Sequence, residues 1–323
     1  MGKGEKEMPE GVYDIAIIGA GPAGLTAGIY AARADMKTVM IESLSIMGQL
    51  TMTDEIENYP GVEKTGGFDL ISVMKNQAVS FGLTCLSGTV DNIDSRQDGD
   101  LTVWEIKYGA EKIEALSVII ASGARPRKLG VPGEEKYSGM GVSYCATCDG
   151  AFFRDKDIMV VGGGNTAIEE ALFLTRFAKK VTVIHRRDRL RATKVVQERA
   201  FASDKMEFIW DSVVEEISGE GKVEKICVKN TKTGKKEECL ADGIFIFTGW
   251  DPNTGFLGDK VELDEKGKLV TDETMKTVRK GVFACGDCRR RPLNQVVTAC
   301  ADGAIAAQSA QLYIERLKGT AYE

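Results

Sequence analysis

Eight cysteines and a single histidine bound the chemistry open to this 323-residue chain. The arrangement best suited to catalysis is Cys145-Ala146-Thr147-Cys148, followed at once by Asp149. Two thiols at this spacing close a small disulfide ring, in which one thiolate is readily stabilised and the other forms and breaks a disulfide. Cys-x-x-Cys is also half of many zinc sites, so the pair needs context. Asp149 has two readings. A carboxylate beside a cycling dithiol suits the proton donor and acceptor such a pair requires, and it equally suits a helix cap or a turn.

The stretches that must position this dithiol are nucleotide-binding units, and the pattern occurs twice. Val12 to Ile18 is an apolar, β-branched run that leads into Gly19-Ala20-Gly21-Pro22-Ala23-Gly24 and then a helical pattern through Leu25, Ile29 and Ala32. In strand, Gly-x-Gly-x-x-Gly and helix, the glycines allow a tight turn and close backbone approach. The helix N-terminus then offers N–H groups and a positive dipole end to a pyrophosphate. The next strand, from Thr38, ends in Glu42, where an acid accepts hydrogen bonds from ribose hydroxyls.

Asp157 to Val161 repeats the strand, Gly162-Gly163-Gly164-Asn165-Thr166-Ala167 the turn, and Ile168 onward the helix. Its next strand ends in His185-Arg186-Arg187. Counted from the first glycine, 19 to 42 and 162 to 185, both strand ends lie 23 positions on. One structural position therefore holds an acid in the first copy and a basic cluster in the second. A carboxylate repels a 2'-phosphate, whereas Arg186, Arg187 and Arg191 neutralise one with forked hydrogen bonds, so the second unit is expected to take NADPH over NADH. Each copy then runs through a small antiparallel meander, and the stretches from Arg125 to Lys128 and from Trp250 to Asn253 read as linkers. The dithiol lies in the second copy, just ahead of its glycine turn.

The net charge of −6 argues against nucleic acid or an anionic membrane as the main partner. The first residues lack the apolar segment of a signal peptide, and no run is long and apolar enough to span a membrane. Eight cysteines without such a signal fit a reducing, cytoplasmic setting.

Taken together these motifs resemble the low-molecular-weight thioredoxin reductases, the bacterial type among the pyridine nucleotide-disulphide oxidoreductases. The resemblance covers nearly the whole chain after about residue 10. It rests on Gly19 to Gly24, on Met47-Gly48-Gln49-Leu50 with Asn58-Tyr59-Pro60-Gly61, on Cys145 to Asp149, on Gly162 to Ala167 with His185 to Ala192, and on Gly286-Asp287 with Gln295 to Ala299. It implies an α/β fold of two Rossmann-like three-layer domains. An FAD domain spans residues 10–125 and 253–323, and an inserted NADPH domain spans 126–252 and carries the dithiol. It also implies a homodimer.

Carried over by residue, the resemblance sets Gly19, Gly21, Ala23 and Gly24 at the FAD pyrophosphate and Glu42 at the adenosine ribose. Gln49 and Asn58 lie near the flavin, Asp287 at the ribityl chain and Gln295 at the pyrimidine side of the ring. In the second unit Gly162, Gly164, Asn165, Thr166, His185, Arg186, Arg187 and Arg191 are the NADPH set. Cys148 resembles the cysteine that contacts the flavin, Cys145 the one that attacks the protein substrate, and Asp149 the acid-base residue. The only histidine sits in the phosphate cluster, which leaves none for the dithiol.

The chain departs from the pattern at Met47, where glycine is usual, and at Asn294, where arginine is expected. Cys285, Cys288 and Cys300 stand where small apolar residues are usual. Cys285 and Cys288 form a second Cys-x-x-Cys, but over a hundred residues separate it from the first, whereas zinc ribbons pair their arms within about 15 to 20. No metal is expected. Cys85, Cys227 and Cys239 fall on predicted strands and are expected to be inert.

The expected activity is a relay in which NADPH reduces the flavin, the flavin opens the Cys145–Cys148 disulfide, and Cys145 attacks the disulfide of thioredoxin. The resemblance also implies that the inserted domain swings between two poses, with the linkers as hinges. Rival readings are a glutaredoxin-like or peroxidase-linked partner, a supply from ferredoxin or NADH, a partner-free diaphorase, and a slow redox-sensing nucleotide-binding protein. Asp149 beside an intact dithiol weighs against the sensor.

Overall fold

The computed structural model describes residues 9–43, 48–52, 56 and 58–321, without the side chains of Gln49, Met52, Thr147 and Cys148. Met47 lies outside the described residues.

In chain order the first elements are β1 (Tyr13–Ile18), α1 (Pro22–Arg33), β2 (Thr38–Glu42), α2 (Gly67–Ser80), β3 (Thr84–Ser87), β4 (Val90–Asp98), β5 (Leu101–Tyr108) and β6 (Glu111–Ile120). They are followed by β7 (Ala124–Pro126), β8 (Val142–Ser143), α3 (Ala146–Asp149), β9 (Asp157–Val161), α4 (Asn165–Leu174), β10 (Lys180–Ile184), α5 (Lys194–Phe201) and β11 (Met206–Ile209). A meander of β12 (Ser212–Ser218), β13 (Lys225–Asn230) and β14 (Lys236–Leu240) precedes β15 (Gly243–Ile246) and β16 (Trp250–Pro252). The chain ends with β17 (Val282–Ala284) and α6 (Val296–Lys318).

The chain divides into two units, Met1–Arg125 with Asp251–Glu323, and Pro126–Trp250. It crosses between them through β7 and β16, which form a two-stranded sheet of their own.

In the first unit the strands run in the order β3-β2-β1-β6-β5-β4. Five consecutive residues of β1 are buried, as a parallel strand covered on both faces requires. Their alternation sorts the core into two layers. Ile15, Ile17, Met40 and Ile119 face one way, with Leu25 and Ala27 of α1 and Ala306, Ala307 and Ala310 of α6. Ala16, Ile18, Val39, Val118 and Ile120 face the other way, with Trp104, Leu257 and Leu269. The long β6 is shared: Glu111 to Ala115 pair antiparallel with β5, and Val118 to Ile120 pair parallel with both β1 and β17. The first meander is thus continuous with its parallel sheet.

The second unit repeats the plan with the order β11-β10-β9-β15-β8, its pairs all parallel. Ile158, Val160, Val181, Val183 and Phe245 pack with Ile168, Ala171 and Leu174 of α4 and Val196 and Ala200 of α5. On the other face Met159, Val161, Ile244 and Ile246 meet Val214, Ile217, Ile226 and Val228 of the meander. Here β12, β13 and β14 form a separate sheet. The chain breaks between β14 and β15 at Asp242, whose Oδ2 accepts the Asp157 N–H at 3.1 Å while its own N–H donates to the Asp157 carbonyl at 2.8 Å. No helix among the described residues is long and apolar enough to cross a membrane.

Candidate functional site

The two glycine turns are built alike. In the first, Gly19 has φ +110°, a conformation that side chains resist, and Gly24 comes so close to the Gly19 carbonyl oxygen that a Cβ there would overlap it. Gly21 is the N-cap of α1, Pro22 opens the helix, Ala23 is buried, and no acidic residue stands in the first turn. Gly164 caps α4 in the same way, again without a side-chain cap or an acidic first turn, and Gly162 packs on Ala167. Apart from chain neighbours and the helix's own backbone, no heavy atom of the described residues lies within 4 Å of the position of a Cβ at Gly21 or Gly164. Helix N-terminal N–H groups facing open, uncapped space are the donor set a pyrophosphate takes, so both turns fit a dinucleotide.

At the end of β2, Glu42 is half-buried and ion-paired with Lys75 of α2. At the end of β10, His185 is 5 % exposed, and its ring lies directly against Gly163 and edge-on to Trp210, 6.5 Å between centroids. Burial pushes its pKa down, the Arg191 and Arg186 charges add to this, and the nearby Gly162 and Arg189 carbonyls oppose it. Its Nε2 is buried without a hydrogen-bond partner among the described residues. Arg186, Arg187 and Arg191 are exposed, and the Arg191 N–H donates to the Gly163 carbonyl at 2.6 Å. Asn165 Oδ1 accepts the Thr193 N–H at 2.7 Å, tying the segment after the arginines to the start of α4, where Thr166 is exposed. In this copy the histidine therefore lies under the glycine turn, while the three guanidiniums stand in solvent beside it.

Cys145 is disulfide-bonded and half-buried, directly before α3. The backbone of Cys148 belongs to α3, and its side chain lies outside the described residues. Cys85, Cys227, Cys239, Cys285, Cys288 and Cys300 are free thiols. Asp149 is half-buried, and its N–H donates to the Cys145 carbonyl at 3.2 Å. It precedes the 3-10 turn Gly150–Phe153 without making a side-chain cap bond, so its carboxylate is not spent on capping. The segment ahead of the dithiol is fixed by Tyr144, whose hydroxyl donates to Glu134 Oε1 at 2.7 Å; burial, then that contact, raises the tyrosine pKa. Glu134, 2 % exposed, also accepts the N–H groups of Leu129 and Gly130 at 2.9 and 2.7 Å. Just beyond the dithiol, Phe152 is 69 % exposed.

Back in the first unit, residues far apart in sequence meet. Asn58 Nδ2 donates to Gln295 Oε1 at 3.0 Å across 237 positions, and Gln295 is the N-cap of α6. Gln49 lies in the 3-10 turn Gln49–Met52, and its side chain lies outside the described residues. Tyr59 packs beside Cys300; burial and then a hydrogen bond with that thiol push its hydroxyl up to about 12. Asp287 sits in the 3-10 turn Gly286–Cys288, its side chain 24 % exposed. Cys285 and Cys288 beside it are fully buried; the Cys288 thiol donates to the Cys285 carbonyl at 3.3 Å, and burial raises both thiols above the ordinary range. Protonated, enclosed thiols do not exchange disulfides.

Sequence reasoning did not single out Lys75, Glu134, Tyr144, Arg291 or Asp302. For Asp302 a signal was present. It stands among Ala299, Gly303 and Ala306 on the buried face of α6, where a carboxylate needs a partner.

The model of the pyridine nucleotide-disulphide oxidoreductases matches residues 13–303. The chain is 50 % identical over 313 residues to the thioredoxin reductase of Peptoclostridium acidaminophilum, covering 95 % of this chain and 98 % of that one. It is 49 % identical over 315 residues to the thioredoxin reductase of Peptoclostridium litorale, covering 95 % and 99 %. Among solved structures, Lactococcus lactis thioredoxin reductase in its FR conformation superposes with a TM-score of 0.78 at 46 % identity, covering 94 % of this chain and 99 % of that one.

Proposed function

The chain belongs to the pyridine nucleotide-disulphide oxidoreductases, and from that premise we propose that it is an NADPH-dependent thioredoxin reductase working through Cys145 and Cys148. Relatives of that name match it along almost their whole length. The observation that carries the reading is that Cys145 is in a disulfide, while the six cysteines other than Cys145 and Cys148 are free. When bound, FAD supplies the two-electron chemistry that links a nicotinamide to a disulfide.

The residues of the chain divide the remaining work. Gly19, Gly21, Ala23 and Gly24 hold the FAD pyrophosphate at the start of α1, Glu42 takes the ribose, and Asn58, Gln49 and Gln295 lie by the flavin with Asp287 at the ribityl chain. The donor set of the first turn fits this assignment. Gly162, Gly164, Asn165 and Thr166 receive the pyrophosphate of NADPH. Arg186, Arg187 and Arg191 neutralise the 2'-phosphate, and His185 supports the turn from below. The exposure of the three guanidiniums, against the buried imidazole, supports this division.

In the reduced dithiol, the Cys145 thiolate attacks one sulfur of the thioredoxin disulfide, and the other sulfur leaves as a thiolate. Cys148 then attacks Cys145 and releases the second thiol of thioredoxin, restoring the Cys145–Cys148 disulfide. Asp149 holds and moves the protons, a role favoured by a carboxylate that makes no cap bond. The exposed Phe152 supports docking of the protein substrate beside the dithiol.

The subunits pair as a homodimer, and the protein works in the cytoplasm. Exposed Tyr30 of α1, Phe68 and Val73 of α2, and Phe81 give the first unit apolar surface for a second copy. Free thiols at six positions suit a reducing compartment.

The test is anaerobic titration of the yellow protein with NADPH and then NADH, followed by oxidised thioredoxin. Bleaching at low NADPH and recovery with thioredoxin are expected. Bleaching without recovery would mean another protein substrate. The Cys148→Ser enzyme is expected to bleach with NADPH yet lose thioredoxin turnover; retained turnover would remove the dithiol from the reaction.

A further inference from the structure

Between the Gly286–Cys288 turn and α6 the first unit buries four charges that the sequence reading left unassigned or assigned singly. Arg291 has a side chain only 3 % exposed, and its guanidinium is divided among three acceptors. One Nη group is ion-paired with Asp287 Oδ1, the other donates to Asp302 Oδ2 at 3.2 Å, and Nε donates to Asn294 Oδ1 at 3.1 Å. Asp302, its side chain 11 % exposed, also accepts Arg289 Nη1 at 3.0 Å and the Gly286 N–H at 3.2 Å. Arg289 in turn donates through Nε to Thr271 Oγ1 at 2.8 Å.

Two carboxylates thus face two guanidiniums, and the cluster is neutral only as a set of four. Without Arg291, two anions would remain beside a single cation, and Asp287, the more exposed of the two carboxylates, would turn toward water. A planar guanidinium presents its donors at fixed angles and so holds three acceptors in one geometry, whereas an ammonium on a flexible stem is a point charge that fixes none of those angles. The ion pair uses Oδ1 of Asp287 and leaves Oδ2 to accept a hydroxyl. Asn294, which stands where the family resemblance expects arginine, receives the guanidinium of Arg291 from three residues upstream.

We propose that Arg291 is the positioning residue of the FAD site: by joining Asp287 to Asp302 and Asn294, it locks the cofactor turn onto α6 and aims the free oxygen of Asp287 at the ribityl hydroxyls. This rests on the reading of Asp287 as a cofactor residue given above. Arg291 itself acts through Asp287 and need not touch the cofactor.

The test is titration of FAD into apoprotein, followed by quenching of flavin fluorescence, with the melting temperature of each apoprotein recorded alongside. Arg291→Gln is expected to weaken FAD binding about tenfold, as loss of a charge-assisted contact implies. Asp287→Asn is expected to do much the same, and the double variant to be no worse than Asp287→Asn alone, because both changes break one connection. Arg291→Lys keeps charge and length and so guards against a misfolded variant; it is expected to lose affinity severalfold with its melting temperature unchanged. An Arg291→Lys protein with wild-type affinity, or single effects that multiply in the double variant, would overturn the proposal. If Asp287→Asn weakens FAD binding but neither Arg291 variant does, the positioning role alone fails. If Asp287→Asn binds FAD as tightly as wild type, the cofactor role of Asp287 fails and the proposal with it.

Discussion

His185 is the only histidine and the only side chain of ordinary pKa near 6.5, which makes its burial testable. Its pKa in the folded protein is lowered, chiefly by burial. The unfolded chain therefore binds the proton more tightly, and stability present above the ordinary imidazole pKa is lost as the pH falls below about 6.5. The expected result is a decline in unfolding free energy between roughly pH 7 and 5.5, measured by denaturant titration. In His185→Phe, whose ring can still pack against Gly163 and Trp210, that decline is expected to be absent; a decline of the same size would place the titrating group elsewhere. At this scale the sequence was legible in part. The register that gives His185 the place Glu42 holds in the first copy could be counted, but the side on which an imidazole lies depends on Trp210 and Gly163, which share no short-range pattern with it. The meeting of Asn58 with Gln295 was equally hidden, since no local periodicity links positions so far apart.

At the scale of elements, the order strand, glycine turn and helix could be read twice because local physics dictates it. Apolar runs between turn residues form buried parallel strands, and an uncapped helix start needs close backbone approach. The sharing of the meander could not be read. In the first unit β6 is long enough to serve both arrangements, while in the second Asp242 interrupts the equivalent course and leaves a separate sheet. That difference turns on one residue whose partner, Asp157, lies 85 positions away. The arginines after β10 carry a prediction proper to this level. Because they follow the strand end as an exposed group, replacing Arg186 and Arg187 together by alanine is expected to raise the KM for NADPH by about 10- to 100-fold while leaving that for NADH within about twofold. Steady-state kinetics with both coenzymes would check it, and an equal loss with each would deny a role specific to the 2'-phosphate.

For the whole molecule, the apolar side chains standing out from α1 and α2 bear on assembly. A soluble surface tolerates single exposed apolar groups, but Phe68 and Val73, at 66 % and 63 % exposure, share one helix of the same unit as Tyr30. On the proposed homodimer, the wild type is expected to sediment as a dimer and a Phe68→Glu/Val73→Glu protein as a monomer, with its circular dichroism unchanged. A dimer that survived both changes would put the interface on another face. Two nucleotide units could be recognised in the sequence from the repeat itself, since each carries its own strand, turn and helix. The interplay of Arg291, Asp302 and Asp287 could not be read, because it joins a turn to the second turn of a helix through side chains alone.

The discontinuity of the first unit also bears on how the chain comes into being. Synthesis proceeds from the amino terminus, and domains generally fold as units. Pro126–Trp250 is one uninterrupted stretch, so the coenzyme unit has all its strands once translation has moved past residue 250. Its host does not. Strand β17, which pairs with β6, and helix α6, whose Gly303 lies against the backbone of Ala23 and Ala27 in α1, are made only after the whole of that stretch. Until they emerge from the ribosome, the flank of β1, β6 and α1 stays open, and a nascent chain that stalls between β16 and α6 carries one finished unit and one still waiting for α6.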